Sequence, residues 1–131
     1  MLHHGSCHCG KISFEVEGDF TEALDCNCSL CRRRGGLLAF VTRDRFHLTT
    51  DSMNLSTYEF NQHVINHDFC ATCGIAPFSE GRGPNGRDMA SINLRCLEDV
   101  DLDALVIRKF DGRNHFSGVR APPAEIQAFA V

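Results

Sequence analysis

Seven of the chain's eight cysteines fall into three tight clusters. These are Cys7-His8-Cys9, Cys26-Asn27-Cys28 with Cys31, and Cys70-Ala71-Thr72-Cys73. A thiolate is a soft, tight metal ligand, and a closed tetrahedral zinc site takes four such groups. Seven ligands divide naturally into a set of four and a set of three. Three protein ligands with one vacant position are what distinguish catalytic zinc from structural zinc. The spacing therefore predicts two zinc ions, one that holds the fold and one with an open coordination position.

The rest of the composition narrows the setting. A length of 131 residues favours one domain spanning 1–131. At that size folding buries roughly 65% of the unfolded chain's surface, enough for a modest core. The formal net charge is −4, which argues against a nucleic-acid partner, since such domains usually carry a basic face. No apolar run approaches the ~20 residues of a membrane span. The N-terminus lacks the basic start and apolar stretch of a signal peptide. The expected location is the cytoplasm, where thiols stay reduced. An even cysteine count also suits disulfides in a secreted protein, but the CxC and CxxC spacings and the missing signal favour metal.

Along the chain, short alternating segments dominate. Lys11 to Glu17 alternates polar and apolar residues and reads as a half-buried strand ended by Gly18-Asp19. Leu37 to Val41 reads as a buried strand. Phe46 to Leu48 and Leu55 to Phe60 alternate again, with Asp51-Ser52 as the turn between them. Val64 to Phe69 runs into the CxxC, and Met89 to Leu94 is a later strand. Ser29 to Arg34 predicts a helical turn, capped by Ser29 and stopped by Gly35-Gly36. Asp101 to Leu105 reads as a turn, and Glu80 to Arg87 as a glycine-rich, mobile loop. Pro122-Pro123 precedes a tail that is helical or frayed. Many short strands with frequent turns predict an all-β domain with little helix.

Each cysteine cluster has its own chemistry. In a strand, residues i and i+2 share a face, so Cys7 and Cys9 can offer two thiolates with His8 turned away. The CxxC of Cys70 and Cys73, followed by Gly74, can do the same from a tight turn. Pairing these four gives a closed site that joins the N-terminus to the middle of the chain, although other partitions of the clusters stay open. Structural zinc contributes ~10–16 kcal/mol of apparent binding energy in small peptides. That is comparable to a whole domain's stability of ~5–15 kcal/mol.

Cys26, Cys28 and Cys31 lie within one local loop that can hold an ion by itself. Three thiolates around Zn²⁺ make a poor Lewis acid but a good holder of an incoming thiol, which loses its proton on coordination. Arg32-Arg33-Arg34 follow at once and can offset the charge or grip a carboxylate; a solvated basic helix face is the plainer alternative. Other readings of the trio are a second structural zinc closed by Cys96 or His67, an iron–sulfur cluster, or a redox pair. Cys96 alone reads as a buried small hydrophobe. His63 and His67 read as structural or surface residues, and His8 as a solvated imidazole.

Three stretches carry a resemblance: Gly5-Ser6-Cys7-His8-Cys9-Gly10-Lys11, then Asp25 to Gly35 around CxCxxC, then His67-Asp68-Phe69-Cys70-Ala71-Thr72-Cys73-Gly74-Ile75. In this order and spacing they resemble the glutathione-dependent formaldehyde-activating enzyme family, which also includes the centromere protein V type of domain. Asn93 to Leu97 and Asp101 to Leu105 are similar to its C-terminal part. The resemblance implies a β-tent fold of small, mainly antiparallel sheets around zinc. It implies that Cys7, Cys9, Cys70 and Cys73 hold a structural zinc. It also implies that Cys26, Cys28 and Cys31 hold a second zinc, open to water or glutathione.

The trio's suitability for holding a thiol, joined to the carbon–sulfur lyase activity that the resemblance implies, gives the expected function: a zinc-dependent carbon–sulfur lyase-like enzyme. It would act on the adduct of glutathione, or another small thiol, with a small aldehyde such as formaldehyde. Cys26, Cys28 and Cys31 would carry the reactive ion, and Arg33 or Arg34 would bind a substrate carboxylate. The alternative is a non-catalytic module in which zinc only builds a scaffold that recognises a thiol or a protein.

Overall fold

The computed structural model describes residues 1–60, 65–83 and 86–115. Ten strands and two short helices follow in order. They are β1 (Leu2–Ser6), β2 (Ser13–Glu17), β3 (Glu22–Cys26), α1 (Ser29–Arg34), β4 (Leu38–Thr42) and β5 (Phe46–Leu48). Then come β6 (Leu55–Tyr58), β7 (Ile65–Cys70), β8 (Phe78–Arg82), β9 (Asp88–Asn93), β10 (Val106–Phe110) and α2 (Gly112–His115). The expectation of an all-β chain with little helix is met.

The strands form two sheets. A three-stranded sheet has the order β1-β2-β5, and a seven-stranded sheet the order β10-β3-β4-β9-β8-β7-β6. All pairings are antiparallel except β10 with β3, which run parallel in register from Val106↔Glu22 to Phe110↔Cys26. The alternation of β2 places Phe14 and Val16 on one face. Those residues and Phe46 pack against Ala39, Val41, Phe78, Ala90 and Ile92 of the larger sheet. Three rings mark the seam: Phe46 lies 4.5 Å from Phe78 and Phe14 lies 5.3 Å from Phe46, centroid to centroid. Spacings of 4.5–7 Å suit aromatic pairs.

One glycine is required by this packing. Gly5 sits opposite Phe14 in the β1–β2 ladder. A Cβ there would fall 2.3 Å from the Phe14 ring and 2.7 Å from Leu97 Cδ2. The turn Leu94–Cys96 and Leu97 thereby close on β1, where Gly5 bridges Leu97.

Several expectations need correction. Glu80 to Arg87 is not one loop: β8 and β9 stay paired as far as Arg82↔Asp88. Helix α1 is capped by Cys28, whose sulfur accepts from the Cys31 N–H, and not by Ser29. Its predicted stop is correct, since Gly35 takes φ +70° as the C-cap. Strands β1, β3, β8 and β10 were not anticipated. The first three are rich in His, Gly, Asp, Glu or Ser, poor strand formers that tertiary pairing overrides. His63, Val64 and Pro122-Pro123 lie outside the described residues. No helix among the described residues is long and apolar enough to cross a membrane.

Candidate metal centres

The first centre is built from two turns that meet. After β1 the chain bends through His8 and Cys9, with Gly10 at φ +80°, and Cys7 N–H donates to Ile12 O at 3.0 Å. After β7 it bends again, with Gly74 at φ +79°, and Cys70 N–H donates to Ile75 O at 2.9 Å. Cys7 and Cys9 therefore share a turn rather than the extended segment expected. Each turn aims two sulfurs at the same point. The Sγ atoms of Cys7, Cys9, Cys70 and Cys73 all lie within 4.8 Å of one another. Cys9 Sγ is 3.6 Å from both Cys7 Sγ and Cys70 Sγ. A tetrahedron with Zn–S bonds of ~2.3 Å has S···S edges of about 3.8 Å, so the spacing fits such an ion.

Hydrogen bonds prepare these sulfurs for negative charge. Ile12 N–H donates to Cys7 Sγ at 3.4 Å, and Cys73 N–H to Cys70 Sγ at 3.5 Å. The Ile75 and Cys9 amides pull the Cys73 thiol down to about 6. Asn54 is a functional residue that sequence reasoning missed. Its side-chain amide donates to Cys70 Sγ at 3.1 Å, and its Oδ1 accepts from the Thr72 hydroxyl at 3.0 Å. Its backbone oxygen accepts from Ala71 N–H at 2.8 Å. The signal was out of local reach, because Asn54 stands 16 residues from Cys70. Cys96 is buried nearby and belongs to neither group of sulfurs. Burial, followed by the neighbouring Cys7 and Cys73, pushes its thiol up to about 11, so it stays protonated.

The second centre is local. Cys26 ends β3, Cys28 caps α1 and Cys31 lies in the first turn of that helix. Their Sγ atoms also lie within 4.8 Å of one another. Cys28 N–H donates to Cys26 Sγ at 3.4 Å, and Cys31 N–H to Cys28 Sγ at 3.3 Å. Hydrogen bonds from the Cys26 and Cys31 thiols, with backbone amides behind them, draw Cys28 down to about 2. Contact with Cys26, then with Cys28, pushes Cys31 strongly up, and contact with Cys28 pushes Cys26 up to about 11. Cys26 is buried, whereas Cys28 and Cys31 are partly exposed.

Around the trio the two candidate arginines differ. Arg33 is exposed and donates from Nη1 to Ser29 O at 2.8 Å, so it is engaged by its own helix. Arg34 turns its guanidinium over the Phe69 ring, 5.8 Å from the centroid. Partial burial lowers its pKa, and the neighbouring Cys31 works the other way. His67 pairs with Tyr58 across β6–β7 and packs against Phe60 at 5.3 Å. Burial and then Arg34 lower the His67 pKa, while Cys28 raises it. His67 thus stands in electrostatic reach of both the arginine and the trio. His8 lies exposed beside the first centre.

Two comparisons bear on this arrangement. The family model of the glutathione-dependent formaldehyde-activating enzyme matches residues 2–108. The chain belongs to the glutathione-dependent formaldehyde-activating enzyme family. Both thiol groups of this family member fall within the matched segment. A crystal structure of a Rhodobacter sphaeroides protein, solved as a structural-genomics target, has a similar fold with a TM-score of 0.69. It is 31% identical over 80% of this chain and 99% of its own. The four cysteines that the resemblance assigns to one ion come together, and so do the other three. Each group could hold a metal ion.

Proposed function

We propose that this family member binds a small thiol of the glutathione type at Cys26-Cys28-Cys31. There it makes or breaks the carbon–sulfur bond of that thiol's adduct with a small aldehyde, as a carbon–sulfur lyase. The inequality of the two centres carries the reading: four sulfurs converge in one and three in the other. All-sulfur donor sets of this spacing suit zinc. When bound in the trio, zinc supplies the positive charge that keeps a fourth, incoming thiol deprotonated. A bound zinc in the quartet has a complete set of protein ligands and serves the fold.

The chain's own residues do the rest. The Cys28 and Cys31 amides donate to sulfur and hold the trio's geometry. Arg34, backed by Phe69, presents a planar fork that matches a substrate carboxylate. In the bond-forming direction the substrate sulfur's lone pair joins the aldehyde carbon. The C=O π pair moves to oxygen, and oxygen takes a proton. In the reverse direction that proton leaves, the carbonyl re-forms and the sulfur departs with its pair. The His67 imidazole, kept neutral by burial and by Arg34, takes the proton that the substrate thiol gives up on binding and hands it to the new alkoxide oxygen; in the reverse direction it takes that proton back and returns it to the departing sulfur. Unpaired cysteines and a glutathione-type substrate suit a reducing compartment, the cytoplasm.

Cobalt substitution followed by glutathione titration tests this reading. One of two bound ions is expected to change its visible spectrum on thiol entry. A Cys28→Ser variant is expected to stay folded, retain one ion, and lose both the spectral response and turnover of a glutathione–formaldehyde adduct. Turnover at the parent rate by that variant would overturn the proposal.

A further inference from the structure

The loop carrying the trio is tied to the far end of the described chain through one exposed residue, Asn27. Asn27 N–H donates to Phe110 O at 3.2 Å, which continues the parallel β3–β10 ladder one residue past Cys26. Its side-chain amide donates to Asp111 Oδ1 at 3.0 Å, and its Oδ1 accepts from Arg113 N–H at 3.0 Å. Asp111 Oδ2 accepts from the Asn114 side-chain amide at 2.6 Å. Asn27 is therefore gripped by its backbone and by both ends of its side chain. The partners come from β10 and α2, more than 80 residues along the chain.

The next peptide N–H after Asn27 is that of Cys28, and it donates to Cys26 Sγ at 3.4 Å. Whatever fixes the Asn27 backbone and side chain fixes the direction of that N–H. It also fixes the path between two of the three sulfurs. Among the described residues the quartet has no comparable link to β10 or α2: its supports there are Asn54, Ile12 and its own turn amides. Asp111, Arg113 and Asn114 also lie beyond the 2–108 segment that the family model matches.

We infer that Asn27 and Asp111 form a positioning latch through which β10 and α2 set the geometry of the Cys26-Cys28-Cys31 centre, leaving the Cys7-Cys9-Cys70-Cys73 centre untouched. The latch rests on the trio being the metal and thiol site proposed above. Groups that orient metal ligands typically change metal affinity by about 10–100-fold when removed. An exposed latch belongs near the lower figure, about 10-fold.

The test uses the full chain with zinc and a competing chelator, so that each centre's affinity is read separately. Asn27→Ala and Asp111→Ala are each expected to weaken the trio about 10-fold and leave the quartet unchanged. The double variant is expected to be no weaker than Asn27→Ala alone, because that substitution already removes the bond to Asp111. Asn27→Asp alone sets two carboxylates together and should weaken the trio. Asn27→Asp combined with Asp111→Asn reverses the hydrogen bond and should restore it. Unchanged trio affinity, equal weakening of both centres, or failure of the exchanged pair to recover would each overturn the latch.

A second readout needs no metal in the trio. In chains whose quartet alone holds zinc, alkylation followed by mass spectrometry should show the trio, but not the quartet, reacting several-fold faster when Asn27 is Ala. Unaltered trio rates would sink the latch even for a parent chain that takes up no ion there. Absence of that ion in the parent would sink the functional proposal instead.

Discussion

Asp68 is the most uncomfortable residue in the core. It is 2% exposed, and its Oδ2 has no hydrogen-bond partner among the described residues, while Oδ1 accepts from the Thr57 hydroxyl at 2.6 Å. Burial raises its pKa from 3.8 to about 6, with Glu80 adding to the rise. A carboxyl raised in this way binds its proton more tightly in the folded chain. Folding stability therefore falls as pH climbs from about 4 to about 6 and stays reduced above. Asp68→Asn should raise stability at pH 8 by at most about 3 kcal/mol, given 1.36 kcal/mol per pKa unit. The gain should shrink as pH is lowered to 5. Paired urea unfolding curves at the two pH values check both size and sign. Gly5 makes the opposite kind of residue-scale statement. Gly5→Ala pushes a methyl into Phe14 and Leu97 and should cost about 1–3 kcal/mol, the usual penalty of overpacking. Thermal melting of the zinc-loaded protein measures it.

At the scale of elements, α1 decides which arginine faces the trio. Arg33 is turned to its own helix, while Arg34 reaches Phe69. Arg34→Ala should weaken glutathione binding about tenfold, since a hydrogen bond to a charged group contributes roughly 1.5–3 kcal/mol. Arg33→Ala should leave binding within twofold, and isothermal titration separates the two. The sequence alone could not rank these arginines, because they are adjacent and differ only in helical phase. The trio was legible because its three ligands lie within six residues and its turn is local. The quartet needed a contact spanning 61 residues, Cys9 to Cys70, which chemistry suggested and no local pattern required. Asn27 and Asn54 were invisible for a similar reason. Each is an ordinary loop residue until its distant partner is known. Strands β2, β5 and β6 announced themselves by alternation, whereas β1 and β8 are held by their neighbours and by little in their own composition.

At the scale of the molecule, the quartet is a bolt between the two sheets. Cys7 and Cys9 follow β1 of the smaller sheet, while Cys70 ends β7 of the larger one and Cys73 lies in the turn after it. Cys70→Ser should therefore lower the yield of soluble protein sharply and unfold the remainder at 37 °C. Loss of a structural ion removes binding energy on the order of the domain's whole stability. Circular dichroism of that variant beside Cys28→Ser gives the contrast: a failed fold in one and an intact fold in the other. Strong chelation should reproduce both effects in the parent, the trio emptying first.

The parallel pairing of β10 with β3 has a consequence for biosynthesis. Every clustered cysteine precedes β10 in the chain, and synthesis proceeds from the N-terminus. A nascent polypeptide thus presents the Cys26, Cys28 and Cys31 sulfurs outside the ribosome before the strand that buttresses β3 has been translated. During that interval the CxCxxC loop meets cellular ions and oxidants without that strand beside it.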